Sequence, residues 1–189
     1  MALSSEALMT GKLILLNGAS SSGKTLIARA VQARISQPFW HFSFDHLRDG
    51  GVLPLSRVRS GEFEWASMRE AVFEGFDLSL PALLRPGNNL IVEHIIETRA
   101  WMNRLLNLLD GFDVFFVGVH CPLEELERRE AARGDRRLGD ARRDFHTIHE
   151  HAAYDLELDS TRSPETNADR LIQAWAARSA PAAFGKLKA

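Results

Sequence analysis

The sequence predicts an α/β domain, a parallel sheet of five strands joined by crossover helices. Two observations predict it. Short apolar runs alternate along the chain with longer stretches whose apolar residues keep helical spacing. The length, 189 residues, suits one domain, expected to span 1–189 with its core at about 12–178. Composition adds a third constraint: 45% hydrophobic and 25% charged residues exclude a disordered or collagen-like chain. No internal repeat stands out.

Each element follows from local pattern. Residues 12–18 (KLILLNG) read as a buried first strand. From Lys24, Leu26, Ile27, Ala30, Val31 and Ile35 keep helical spacing until Pro38 ends the helix. Residues 38–47 (PFWHFSFDHL) alternate and predict a second strand ending near Asp45. Residues 48–60, with Gly50, Gly51 and Pro54, read as a loop. Residues 62–84 carry Trp65, Met68, Val72, Phe76, Leu80 and Leu83 on one helical face, with Gly75 and Pro81 suggesting a bend or break. The turn PGNN leads into a third strand, residues 90–96 (LIVEHII), with Glu93 and His94 at its carboxyl end. Thr98 is placed to cap a helix running to Leu109. Residues 113–121 form a fourth, fully buried strand, and Pro122 opens another helix. Residues 154–159 alternate as a last strand, Ser163 or Pro164 begins a C-terminal helix, and the chain after about 178 reads as a tail.

The apolar runs are far short of the ~20 residues of a membrane-spanning helix. The single cysteine, Cys121, reads as a packing residue and excludes a disulfide framework or a cysteine-based zinc site. The N-terminal MALSSEALMT lacks the basic start and apolar core of a secretory signal, so a cytoplasmic location is expected. A net charge of −2 argues against a nucleic-acid partner. Seven arginines crowd residues 128–143, but seven acids lie among residues 124–144, which reads mostly as a salt-bridged helical surface. The spacing of His146 and His149 suits two metal ligands, but no nearby cysteine supports such a site.

The strongest signal is Gly18-Ala19-Ser20-Ser21-Ser22-Gly23-Lys24-Thr25, a complete G-x-x-x-x-G-K-[ST] between a predicted strand and a predicted helix. The glycines let backbone N–H groups and a helix N-terminus close on phosphate oxygens. Lys24 then reaches the β- and γ-phosphates of a nucleotide, and the Thr25 hydroxyl can ligand Mg²⁺. The motif implies a P-loop NTPase fold, three layers α/β/α. A domain of this size without added switch regions suits a small-molecule kinase.

Two carboxylates are candidates for the chemistry. Asp45 is expected at the end of the second strand, on the sheet edge where open parallel sheets bind ligands. There it can accept the proton of an attacking hydroxyl or, alternatively, cap the turn that follows. Glu93 is expected beside the first strand, where a carboxylate can hold the water shell of Mg²⁺. His94 is placed to orient substrate or, more simply, to pack.

These residues resemble the chloramphenicol phosphotransferases, small ATP-dependent kinases that phosphorylate the antibiotic's primary hydroxyl. The resemblance runs from about Lys12 to Trp175. It is carried by ILLNGASSSGKT (14–25), FSFDHL (42–47), FVGVHC (116–121), RREAARGDR (128–136) and HEHAAYDLELDST (149–161). It implies a fold similar to the adenylate and shikimate kinases. It implies Asp45 as general base, Arg133 and Arg136 in a lid at about 128–143 that closes over the phosphates, and Arg129 against the adenine. It implies ATP and Mg²⁺ as cofactors. The sequence departs from the family at residues 48–85, and at Glu93-His94, where the family has two aspartates.

The expected reaction is transfer of the γ-phosphate of ATP to a hydroxyl of a small molecule, antibiotics included, with the acceptor bound by about residues 46–85. The aromatics there, Phe63, Trp65, Phe73 and Phe76, favour an apolar acceptor. Arg48, Arg57, Arg59, Arg69 and Arg85 leave room for an anionic one, as in a shikimate- or gluconate-type kinase. A zeta-toxin-like kinase acting on a nucleotide sugar and a non-catalytic nucleotide-binding switch are the remaining alternatives. Neither the oligomeric state nor the nucleotide preference is written in the sequence.

Overall fold

In the computed structural model, which describes residues 10–133, 139–178 and 183–187, the central strand β1 (Lys12–Asn17) is the organising element. Leu13, Ile14, Leu15 and Leu16 have no exposed surface at all. A strand can be apolar on both sides only where helices cover both faces of its sheet. Alternate residues duly part company. Leu13 and Leu15 join one core cluster with α4 (Trp65–Leu84) and α5 (Arg99–Leu108). Ile14 and Leu16 join a second with α1 (Lys24–Gln32) and α8 (Pro164–Ala177).

The sheet is parallel throughout, in the order β2-β3-β1-β4-β5. Its other strands are β2 (Phe39–Ser43), β3 (Asn89–His94), β4 (Asp113–His120) and β5 (Leu156–Asp159). Asn17 stands opposite both His94 and Gly118, and Ser43 opposite Glu93. The carboxyl ends of β1, β2 and β3 are therefore level to within a residue, β4 runs two residues further, and the segments leaving them meet above the sheet. Between β4 and β5 come α6 (Leu123–Arg133) and α7 (Asp140–Thr147), which cover that same end. Among the described residues, no helix is long and apolar enough to cross a membrane.

Several boundaries differ from the sequence expectation. Strand β2 stops at Ser43, not near Asp45, and α2 (Phe44–Asp49) begins at once. Ser43 caps it, its hydroxyl accepting from the His46 N–H at 3.3 Å. The expected alternation breaks because Phe44 stacks on Phe73 at 4.3 Å rather than following the pleat. The expected loop at 48–60 contains α3 (Leu55–Arg59). Helix α4 runs through Gly75 and Pro81 without a break. Strand β5 starts two residues late because Asp155 bonds back to Phe116, its N–H donating and its carboxylate accepting at 2.8 Å each.

The tail also differs. Residues 183–186 form a short helix, α9 (Ala183–Lys186), and Phe184 is only 3% exposed. Its ring meets Phe116 of β4 edge-on, 5.4 Å between centroids. Truncating a buried phenylalanine costs about 3–5 kcal/mol. Phe184→Ala should lose stability of that order in urea unfolding. An unchanged midpoint would mean that the segment does not dock.

Candidate active site

Strand β1 delivers the phosphate loop, and Asn17 anchors its start. The Asn17 amide donates to Ile148 O and to the Tyr154 hydroxyl, both at 2.9 Å, and accepts from Ile96 N–H at 3.0 Å. At Gly18 any Cβ would stand 2.6 Å from Val119 O, so the loop can lie against β4 only as glycine. Gly23 has φ +90°, which glycine adopts without cost, and Ser21 has φ +62°. A non-glycine residue there is strained, a feature that clusters at ligand-binding turns.

The loop is built to receive an anion. Lys24 is nearly buried, and its Nζ donates to Gly18 O and Ala19 O at 2.7 Å each. The hydroxyl oxygens of Ser20 and Ser21 are buried without a hydrogen-bond partner. A buried polar atom left unmatched is costly, and a bound phosphate would supply the partner. Helix α1 starts here with no acidic residue in its first turn, so its N-terminal field is uncancelled.

On the β3 side, Thr25 Oγ1 donates to Glu93 Oε2 at 2.8 Å. His41 Nε2 lies 2.6 Å from Glu93 Oε1. Burial acts to raise the Glu93 pKa, but the His41 hydrogen bond, the Lys24 charge and the Thr25 hydroxyl together hold it below the usual carboxylate range. One hydroxyl and one ionised carboxylate make a fit for Mg²⁺, which takes oxygen donors and keeps several waters. Among the described residues no group of three or more His, Cys, Asp or Glu is placed to hold a metal ion. His41 escapes a reading of the sequence because its alternation suits a plain strand residue. Only the pairing of β2 with β3 brings it to Glu93.

Asp45 lies in the first turn of α2, two residues past the Ser43–Glu93 pair, rather than on a strand end. Arg48 approaches it at 3.2 Å. Neighbouring His46 meets His41 edge-on at 4.6 Å. Burial, the His41 charge and Arg29 keep the His46 pKa low, against the pull of Glu93 and Asp45. Asp45, His46, His41 and Glu93 thus form one neighbourhood beside the loop.

His94 turns away from this group. Its Nδ1 accepts the Ile95 N–H at 2.9 Å, so a neutral ring carries its proton on Nε2 and donates to Asp77 Oδ1 at 2.8 Å. Asp77 is fully buried and also accepts from Trp101 Nε1 and Arg104. His94 is a packing residue.

On the other flank, Arg129 donates to Ser160 O at 2.9 Å and to Glu125 at 2.6 Å. Its Nη1 would stand 3.3 Å from a Cβ at Gly23. Hydrogen bonds from Arg128 and Arg129 hold the Glu125 carboxyl down to about 2. Arg136 lies outside the described residues, as does the side chain of Arg133.

Three of the four aromatics of residues 46–85 pack on rings outside that segment, Trp65, Phe73 and Phe76 on Phe44 and Phe73 also on Trp101. Phe76 is 2% exposed, Phe73 stacks on Phe44, and Phe63 lies under Arg57. A cavity of about 410 Å³ opens instead beside Ala19, among residues 119–122, Phe145 and His149. There Cys121 packs with Leu126 and Ile148. His120 and His149 stack at 4.0 Å.

Comparison with known proteins places the chain. The family described as chloramphenicol phosphotransferase-like protein matches residues 11–176. A Mycobacterium tuberculosis protein provisionally named an O-phosphotransferase is 37% identical over 94% of this chain and 88% of its own length. The APS kinase of the same organism, solved with AMPPNP and APS, superposes with a TM-score of 0.65 at 21% identity, covering 88% of this chain and 98% of the other. Shikimate kinase from Aquifex aeolicus gives 0.58 at 17% identity, covering 87% and 96%. The two structures share the P-loop kinase fold with this chain.

Burial, with the charges of His120 and Lys24, lowers the His149 pKa from 6.5 to about 4. The unfolded chain therefore takes up a proton near 6.5 and the folded one only near 4. Stability from this residue is whole above that window and falls as pH drops through it. His149→Gln should flatten the decline in melting temperature across the window. An unaltered slope would mean that His149 is not held neutral.

Proposed function

The chain belongs to the chloramphenicol phosphotransferase-like family, and on that premise we propose that it transfers the γ-phosphate of ATP to a hydroxyl of a small molecule. One observation carries the reading. Lys24 on its loop, the Thr25–Glu93 pair and Asp45 all leave the same end of three adjacent strands. Phosphoryl transfer needs little covalent help from the protein. It needs an aligned nucleophile and cations on the phosphates.

The roles follow from position. Lys24 stands where its ammonium neutralises the β- and γ-phosphates. Residues 18–25 cradle them with backbone N–H groups and serine hydroxyls. Thr25, with Glu93 through water, would hold Mg²⁺, which when bound offsets phosphate charge. Asp45 would orient the acceptor hydroxyl and take its proton as the new P–O bond forms and the bond from the γ-phosphorus to the ADP oxygen breaks. Arg129, beside Gly23, would lie against the adenine. Arg133 and Arg136, whose side chains lie outside the described residues, would bring cations to the transferring group.

Three of the five arginines of the acceptor segment are already paired, which favours a neutral acceptor over an anionic metabolite. Arg48 pairs with Asp45 and Asp49, Arg57 with Glu62 and Arg69 with Glu97. A charge already matched offers less to an anionic substrate. A panel of neutral hydroxyl compounds, chloramphenicol included, screened for acceptor-stimulated ADP release is the direct test. Stimulation by anionic acceptors alone would overturn the preference.

Two variants check the roles. Lys24→Ala should weaken ATP binding and abolish transfer while the protein stays folded. Unchanged turnover would reject the site. General-base removal costs about 10²–10⁴ in rate. Asp45→Asn should lower kcat by that amount at nearly constant ATP affinity, with basal ATP hydrolysis falling less. Wild-type transfer by this variant would pass the role to Glu93.

A further inference from the structure

Asp144 is a buried carboxylate that the proposed chemistry does not use. It lies in α7, 1% exposed, and is far in sequence from the phosphate loop that it touches. Its Oδ2 accepts the backbone N–H of Ser20 at 3.1 Å. Its Oδ1 accepts from Arg143 Nη2 at 2.8 Å. Arg143 in turn bonds Asp140 at 2.8 Å and reaches Glu97 at 3.7 Å, and Glu97 holds Arg69 of α4 at 2.6 Å.

The Ser20 N–H belongs to the peptide unit whose carbonyl is Ala19 O. That oxygen accepts from Lys24 Nζ at 2.7 Å and from Ser22 N–H at 3.2 Å. One peptide plane is therefore gripped at both ends, by an ammonium on its oxygen and by a carboxylate on its N–H. The two charges align with the peptide dipole. A flipped plane would set its carbonyl against the carboxylate and its N–H against the ammonium. The next residue, Ser21, is in the left-handed region, where a serine stays only if its surroundings hold it.

We propose that Asp144 is the positioning residue of the phosphate loop: by fixing the Ala19–Ser20 peptide it sets where the Lys24 ammonium stands, and so the affinity for the β- and γ-phosphates. The effect on nucleotide rests on the ATP reading above. The grip on the peptide does not.

A hydrogen bond to a charged acceptor contributes enough that its loss weakens a dependent equilibrium about ten- to a hundredfold. Asp144→Leu should weaken ATP by about tenfold or more while leaving adenosine, which lacks phosphates, unchanged in a chemical-shift titration. Asp144→Asn keeps an acceptor oxygen and should restore ATP binding to within a few-fold. A residue that merely stabilised the domain would weaken both ligands alike, and that result overturns the proposal. So does wild-type ATP affinity in the leucine variant. Should the leucine variant not fold, the Ser20 amide proton decides. It should resonate downfield in the wild-type protein and move upfield in Asp144→Asn, and no movement refutes the contact. If the wild-type protein binds no ATP, the functional reading fails, while the amide measurement still decides whether Asp144 grips the loop.

Discussion

The burial of β1 on both faces is the constraint on which the site depends. Four consecutive apolar residues without exposed surface place the strand at the centre of two cores. Burying such side chains stabilises by about 1.5–3 kcal/mol each. A slip of one residue would move the loop by about 3.3 Å and disrupt both cores at once. The strand end is pinned further by the three side-chain bonds of Asn17 and by the close approach of Gly18 to Val119 O. The phosphate loop is therefore placed by the core, and its chemistry inherits that precision.

Around this frame, several buried carboxylates are each neutralised by a different device. Asp77 is matched by His94, Trp101 and Arg104, and joins β3 to α4 and α5. Glu130 accepts the N–H groups of Gly139 and Ala141 at 2.8 Å each, and so caps the start of α7. Glu93 is matched by His41 and Thr25, Asp144 by Ser20 N–H and Arg143. Stranding a buried charge without its partner costs far more than the pair contributes. Such groups accordingly fix geometry more than they add stability. Two of the four touch the phosphate loop, and only these bear on nucleotide chemistry.

The electrostatics fit the proposed reaction. The loop offers a lysine, a helix N-terminus and unmatched serine hydroxyls to a polyanion. Opposite it, Glu93 and Asp45 supply the negative charge that a metal–phosphate complex and an attacking hydroxyl require. The acceptor side is different in kind. Phe73 and Phe76 are packed against Phe44, and Arg48, Arg57 and Arg69 are paired with carboxylates.

The sequence by itself determined the strand–loop–helix of residues 12–32 and the five parallel strands. Each rests on spacing between near neighbours. It also placed the cap at Thr98 and the start of the last helix at Ser163 or Pro164. It misplaced Asp45, because Ser43 ends its strand, and it read the docked Phe184 segment as a tail. It left His94 open between substrate and packing, and it said nothing of His41 or Asp144. These were decided by tertiary structure alone. Glu93 meets His41 across 52 positions, and Ser20 meets Asp144 across 124. Local periodicity reports whether a side chain faces a core. Which partner it finds there depends on strand order and helix docking, which contacts between distant residues settle together.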